Sequence, residues 1–375
     1  MFYILSNNTF SRAELEHFGT IKNIHYGDIL IKFGDTLDAT NADIPYIKDN
    51  LKFKADYLQN GDLIIADTAE DYTAGKSTEI YNICDAKVIS GLHTIPCRPQ
   101  IKFAEKYLGY YTNSPAFRTQ LLSLLQGIKV FSISKSNLNN TNICYPSLSE
   151  QQKIADFLSL VDARIEKQRL LVESLKKYKR GLLSAIFDRK LRFKDENGND
   201  YPEWENKKIS DIFKLTRGYV LATSEISELQ TSEFKYPVYS SQTKNEGLLG
   251  YYNKYLYKNA ITWTTDGANA GYVKFRNGEF YCTNVCGVLL CNKGNCNSYI
   301  AEKLNSVTKR HVSYVGNPKL MNNVMAEIYI DFPSIQEQKR NSKLLTKIDE
   351  KIKTSNFLYD RLILLKQGLL QQMFI

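Results

Sequence analysis

Three short constellations in this 375-residue sequence hold residue types that could carry chemistry. Ala74-Gly75-Lys76-Ser77 has the ending of a phosphate-cradling loop. That motif needs a glycine five residues before Gly75, where Glu70 stands, and its charge would repel a phosphate. Cys282, Cys286, Cys291 and Cys296 are spaced closely enough to suggest zinc. No two cysteines form a C-x-x-C pair, and Cys282 and Cys286 are expected on one face of an apolar strand, so they read as buried thiols. Asp331 with Glu337-x-Lys339 has the outline of a metal-dependent nuclease, but the glutamate and lysine fall in the capped first turn of a helix. Four histidines without serine-histidine-aspartate spacing give no hydrolase. Neither a glycine-rich cofactor loop after a strand nor an Asn-Pro-Pro-aromatic run marks a methyltransferase.

Composition narrows the classes further. Lysine and arginine total 49 against 40 aspartates and glutamates, a formal charge of +9, which is compatible with a polyanionic partner. The 25 tyrosines and 18 phenylalanines could stack on bases, although most aromatics serve a core. Hydrophobic residues at 43% and charged residues at 24% exclude disorder as the dominant state. No apolar run approaches the roughly 20 residues of a membrane helix. The N-terminus carries no signal-peptide pattern. Seven cysteines, an odd number at low density, suggest reduced thiols and a cytoplasmic setting.

What remains is a repeat. The segment from Pro146, PSLSEQQKIADFLSLVDARIEKQRLLVESLKKYKRGLLSAIF, aligns without a gap with PSIQEQKRNSKLLTKIDEKIKTSNFLYDRLILLKQGLLQQMF from Pro333, an offset of 187 residues. Glu150/Glu337, Gln151/Gln338, Leu158/Leu345, Asp162/Asp349, Ile165/Ile352, Leu175/Leu362, Gly181/Gly368 and Phe187/Phe374 coincide. Each copy predicts one long helix that opens on an S-x-x-E capping box, Ser147 with Glu150 and Ser334 with Glu337. The apolar stripes Leu158, Val161, Ile165, Val172, Leu175, Leu182 and Leu345, Ile348, Ile352, Tyr359, Leu362, Leu369 step by threes and fours, the seam of a helix pair. Polar seam positions match as well, Gln168 with Ser355 and Lys179 with Lys366.

Ahead of each helix lies a module of short strands broken by Gly, Asn and Asp: Leu63–Ile65 in the first, and Ala260–Trp263, Tyr272–Phe275 and Val285–Leu290 in the second. A weak echo links the modules: Ala74-Gly75 with Gly91 against Ala270-Gly271 with Gly287, and Ala104-Glu105-Lys106 against Ala301-Glu302-Lys303. The expected division is a first module at 1–145, a spacer helix at 146–190, a polar linker at 191–206, a second module at 207–332 and a second spacer helix at 333–375. Two unequal modules on equal helices would present two unequal readers, suited to a split, asymmetric DNA site.

The two P-S-[LI]-x-E-Q helices, their KRGLLSAIF and KQGLLQQMF ends, the linker LRFKDENGNDYPEWE and the segment TWTTDGANAG…CTNVCGVLL resemble the specificity subunit of type I restriction-modification systems. The resemblance implies an α+β chain: two pseudo-repeated mixed α/β target-recognition domains joined by two long conserved helices that form an antiparallel coiled coil. Each domain would read one half of a bipartite site on double-stranded DNA. The helices would space the readers and dock two modification (methyltransferase) subunits, with restriction (translocase and nuclease) subunits completing the complex. No metal site and no catalytic residue are expected here; S-adenosylmethionine, ATP and Mg belong on the partner subunits. One departure stands out. The second module is introduced by residues 191–215, and no counterpart precedes Phe2, so the first module is expected to lack its initial segment. The alternatives are a non-catalytic coiled-coil scaffold or a truncated, inactive specificity subunit.

The candidate reading residues are polar and basic side chains expected on module loops. They are Lys22, His25, Lys76, His93 and Arg98 in the first module, and Ser240, Ser241, Gln242, Lys244, Thr264, Thr265, Asn269, Lys274 and Arg276 in the second. Arginine suits guanine, and asparagine or glutamine suits adenine, in the major groove.

Overall fold

The two apolar stripes do become two long helices, Leu148–Phe187 and Ile335–Met373. The structure, a computed structural model, describes residues 2–242 and 244–374, the side chain of Lys244 excepted. Each helix starts where its serine accepts from the amide three residues on, Ser147 from Glu150 and Ser334 from Glu337. In the second helix Glu337 turns to other partners instead of returning to its cap. At about 1.5 Å per residue each helix is roughly 60 Å long. Each lends one end to each of two compact units, Met1–Leu170 with Phe357–Ile375, and Leu171–Asn356.

In the first unit five strands form one sheet in the order Phe2–Ile4, Thr94–Pro99, Leu63–Ala66, Ser77–Tyr81, Thr36–Asp38, all antiparallel except the last pair. A second sheet of four strands holds Ile21–Ile24 parallel to Lys87–Ser90. Leu63 and Ile65 face a core shared with Tyr107, Tyr110 and Phe117, and with Ala155 and Leu158 of the first long helix and Leu370 and Phe374 of the second. Ile64 and Ala66, on the opposite side of the strand, face a separate core with Ile24, Ile29 and Val88.

In the second unit the six-stranded sheet runs Lys214–Arg217, Cys286–Leu290, Tyr257–Thr264, Val273–Cys282, Tyr236–Tyr239, Leu248–Tyr252. Trp263 is its buried centre, and its indole donates to the Leu320 carbonyl at 2.9 Å. Gly287 lies opposite Trp263 in the ladder, where an added Cβ would stand 2.2 Å from the indole, so only glycine fits. Leu182 and Ile186 of the first helix and Leu345 and Ile348 of the second share this core with Tyr299 and Ile300.

The two units share a strand-turn-strand element. Gly75 donates to the Ala66 carbonyl at 2.8 Å, and Gly271 to Thr264 at 2.9 Å. Both glycines hold a left-handed φ, +81° and +82°. The rest of the sequence echo does not superpose. Gly287 faces Trp263 as Ile95 faces Ile65, so Gly91 is not its counterpart. Ala104–Lys106 precedes the helix Tyr107–Asn113, whereas Ala301–Lys303 lies inside the helix Ser298–Thr308.

A polar linker is not what residues 191–206 form. Leu191 and Phe193 pack on the core of the second unit, Trp204 is buried, and Glu205–Lys208 pairs antiparallel with Tyr329–Phe332. Composition pointed to a tether, but three apolar side chains and a strand pairing anchor the segment.

Candidate DNA-reading modules and their helical mounts

Each module is fixed to the helices by the same lysine. In the first unit Lys366 lies 2.5 Å from Asp162 of the other helix and 2.7 Å from Asp35 of the module. In the second unit its counterpart Lys179 lies 2.7 Å from Asp349 and 2.6 Å from Glu302. Burial alone would lower both lysine pKa values, but the paired carboxylates outweigh it and raise them. Each lysine thus ties helix to helix and both to a module. Leu158 with Leu370, and Asp162 one turn on with Lys366 one turn back, make the pairing in the first unit antiparallel. Lys179 with Asp349 and Leu182 with Leu345 do the same in the second. Of the expected seam, Leu158, Val172, Leu182, Leu345 and Ile348 are buried, and Val161, Ile165, Leu175, Ile352, Tyr359, Leu362 and Leu369 are half-buried. The matched polar positions Gln168 and Ser355 are buried too.

The glutamine after each capping glutamate is a second mount. Gln151 accepts from the Ala104 amide at 3.0 Å and Gln338 from the Asn297 side chain at 2.9 Å; each also donates to the proline carbonyl five residues back. The glutamates differ. Glu337 is 1% exposed, accepts from the Trp204 indole at 3.0 Å and pairs with Arg192 at 3.1 Å, so it does not reach back to its cap. Glu150 is exposed. Segment 191–208 supplies the partners of Glu337, and among the described residues nothing takes that place beside Glu150.

Most of the candidate reading residues already have partners within their own module. Lys22 lies in a strand and donates to the Ala39 carbonyl at 2.5 Å. His25 caps the helix Tyr26–Ile31, accepting from Gly27, and burial lowers its pKa. Lys76 is drawn inward to the Leu30 and Phe33 carbonyls, both at 3.1 Å, and burial lowers its pKa. Arg98, in the strand Thr94–Pro99, grips the buried Asp62 at 2.7 Å. His93 is exposed, on a left-handed backbone beside Asp67. In the second unit Thr264 and Thr265 are buried, and the Thr265 hydroxyl donates to Val285. Lys274 and Arg276 sit in the strand Val273–Cys282 rather than in a loop. Lys274 meets Glu246 at 3.0 Å. Arg276 donates to the Glu246 carbonyl at 2.8 Å and lies over the Tyr239 ring at 3.7 Å, buried deeply enough to lower its pKa. Ser240 accepts from Thr283, Gln242 donates to the Leu248 carbonyl, and Ser241 and Asn269 are half-buried. The side chain of Lys244 lies outside the described residues. Lys22, Arg98, Thr264, Lys274 and Arg276 lie in strands rather than loops, and Lys22, Lys76, Thr265 and Arg276 each satisfy a backbone carbonyl.

The cysteines divide by burial. Cys282 ends one strand and Cys286 opens the next, so they do not share one strand as expected. Both are buried with Cys97 and Cys296, and burial pushes the Cys286 and Cys296 thiols up to about 11. Cys291 is half-buried.

Sequence reading missed Asp35, Glu302 and the glutamine mounts, although Gln151/Gln338 and Asp162/Asp349 stood in the repeat. It also began the repeat too late. The same 187-residue offset extends upstream through Ile143/Ile330, Leu138/Met325, Ile133/Leu320 and Ile128/Val315.

A family model for the type I restriction modification DNA specificity domain matches residues 4–173 and 201–362. The chain belongs to this family. A putative type I specificity subunit N-terminus of Mycoplasma pneumoniae is 39% identical over 141 residues, covering 37% of this chain and 74% of that protein. A second putative specificity subunit of that organism is 32% identical over 207 residues, covering 54% of this chain and 81% of the relative. The specificity subunit of its type I restriction enzyme MpnII is 34% identical over 145 residues, 38% of this chain but only 43% of that subunit. The crystal structure of a type I restriction-modification S subunit from M. genitalium shares the fold at a TM-score of 0.61 and 16% identity, covering 100% of this chain and 94% of that one. Among the described residues no helix is long and apolar enough to cross a membrane.

Proposed function

We propose that each unit of this family member reads one half of a bipartite duplex DNA sequence, and that the helices set the gap between the halves. The observation that carries this reading is the duplicated mount. Lys366 with Asp162 and Lys179 with Asp349 hold two modules of different sequence on equivalent frames. The chain itself is non-catalytic and binds no cofactor. S-adenosylmethionine, ATP and Mg serve the modification and restriction subunits, and the complex works in the cytoplasm.

Two modification subunits fit the same duplication. Leu171 and Tyr178 are 43% and 59% exposed, and their repeat counterparts Leu358 and Leu365 are 40% and 53% exposed. One apolar patch thus recurs in each unit and offers two equivalent docking faces.

Methylome sequencing of cells carrying the complete system tests the reading. Exchange of residues 1–145 for another member's first module should change one half of the methylated sequence and leave the other. A change in both halves would overturn it. Binding to duplex DNA should weaken steeply with salt, as phosphate contacts release counterions; a scaffold without DNA affinity would not be retained.

A further inference from the structure

Each unit carries a seven-residue loop at the same distance from its long helix. In the first, Gln126 and Ser132 exchange two backbone hydrogen bonds at 3.0 and 2.9 Å; in the second, Ser313 and Lys319 do so at 2.8 and 2.9 Å. Each loop is pinned to the turn that follows the central strand. Ile133 donates to Asp67 at 2.8 Å, and Leu320 donates to Thr265 at 2.9 Å. The frames match, yet within the loops QGIKVFS and SYVGNPK share no residue at any position. The turning glycine also moves. Gly127 has φ +116°, with the Val130 carbonyl 1.9 Å from where a Cβ would be, whereas Gly316 has φ +74° and open space around it.

One property is nevertheless kept. Ile128 is 94% exposed and its counterpart Val315 is 92% exposed. Each unit thus holds an aliphatic tip in water on a loop closed by a backbone pair. Cations flank the tips in sequence: Lys129 and Lys135 in the first unit, Arg310 and Lys319 in the second, all exposed. The turn to which the first loop is pinned carries the acids Asp67, Glu70 and Asp71.

From this pairing we propose that the loops 126–132 and 313–319 are the base-contacting elements of the two modules. Ile128 and Val315 touch base edges or thymine methyls, and the flanking cations hold phosphates. The inference rests on the DNA-reading function proposed above and deepens it. A common frame with a variable tip is what two readers of different half-sites require.

The test uses the full chain in complex with its modification subunits and the methylome of cells that carry them. Ile128→Ser should relax or abolish reading at one half-site only, and Val315→Ser at the other. Each should lower affinity for a duplex bearing the wild-type methylated sequence by about tenfold or more. Lys129→Gln should weaken binding to all sequences and reduce the salt slope by about one. Because these positions are exposed, melting temperatures should not move. If both serine variants mark the wild-type site and bind it within twofold of the parent, the assignment is overturned. It is also overturned if they keep DNA binding but lose the modification subunits, since the loops would then contact protein. Failure of the parental complex to mark a bipartite site would instead overturn the DNA-reading function, and the loop assignment with it.

Discussion

Lys366 sits 2.5 Å from Asp162, joining the last turns of one long helix to the early turns of the other. Its repeat counterpart Lys179 makes the same bond to Asp349 at 2.7 Å. The two ion pairs are the point at which an internal duplication in sequence becomes a duplicated mount. Lys366 is 15% exposed, and its removal takes the ion-pair partner from two carboxylates. Lys366→Met should destabilise the chain by about 3 kcal/mol, read by chemical denaturation.

The same lysines predict an alkaline limit. Their pKa values are raised above the ordinary 10.5 in the folded chain. Their contribution to stability is therefore full below pH 10.5 and is lost as pH rises through the folded values. Stability of the parent should fall more steeply above pH 10.5 than that of the double variant Lys179→Met/Lys366→Met. Parallel curves would show that the pairs do not couple to folding.

Glu79 predicts a second pH effect, in the neutral range. It is buried, and burial pushes its pKa up to about 7 despite hydrogen bonds from the Lys106 and Gly109 amides. The folded chain favours the protonated acid, so this stabilising contribution is full below pH 4.5 and lost as pH climbs through 7. Glu79→Gln should remove a slope of about 3 kcal/mol across that window. Unfolding titrations of parent and variant at pH 5 and pH 8 would measure the difference.

Glu337 and Glu150 occupy the same repeat position in different surroundings. Glu337→Ala leaves the buried Trp204 indole without its acceptor and removes one of the two carboxylates paired with Arg192, and should cost about 2 to 3 kcal/mol. Glu150→Ala, at an exposed site, should change stability by no more than about 0.5 kcal/mol. Equal effects on melting would mean that segment 191–208 does not anchor the second unit.

The helices offer one inward and one outward contrast. Ile348→Asp places a charge in the core of the second unit and should cost more than about 3 kcal/mol, with loss of the assembled complex. Leu365→Arg lies on the exposed face and should leave melting unchanged while weakening co-purification with the modification subunits. If Leu365→Arg assembles like the parent, docking lies elsewhere.

The repeat, both helices, their caps and most seam positions are written in the sequence, because a 3.6-residue period and an ungapped offset are local properties of a chain. The short strands around Leu63, Ala260 and Val285 were legible for the same reason. What the modules expose was decided only in three dimensions. Lys76, Arg98, Thr265 and Arg276 look like solvated polar residues in sequence, yet acceptors supplied by distant segments draw them inward. Asp35 and Glu302 carry no signal of their own, since each becomes a mount only when the fold brings a lysine from a distant helix beside it. Residues 191–206 read as a tether by composition, and Trp204 makes them part of the second unit by burial. Local pattern determines which elements form, while the partners of a polar side chain depend on residues far along the chain that only packing brings within hydrogen-bond reach.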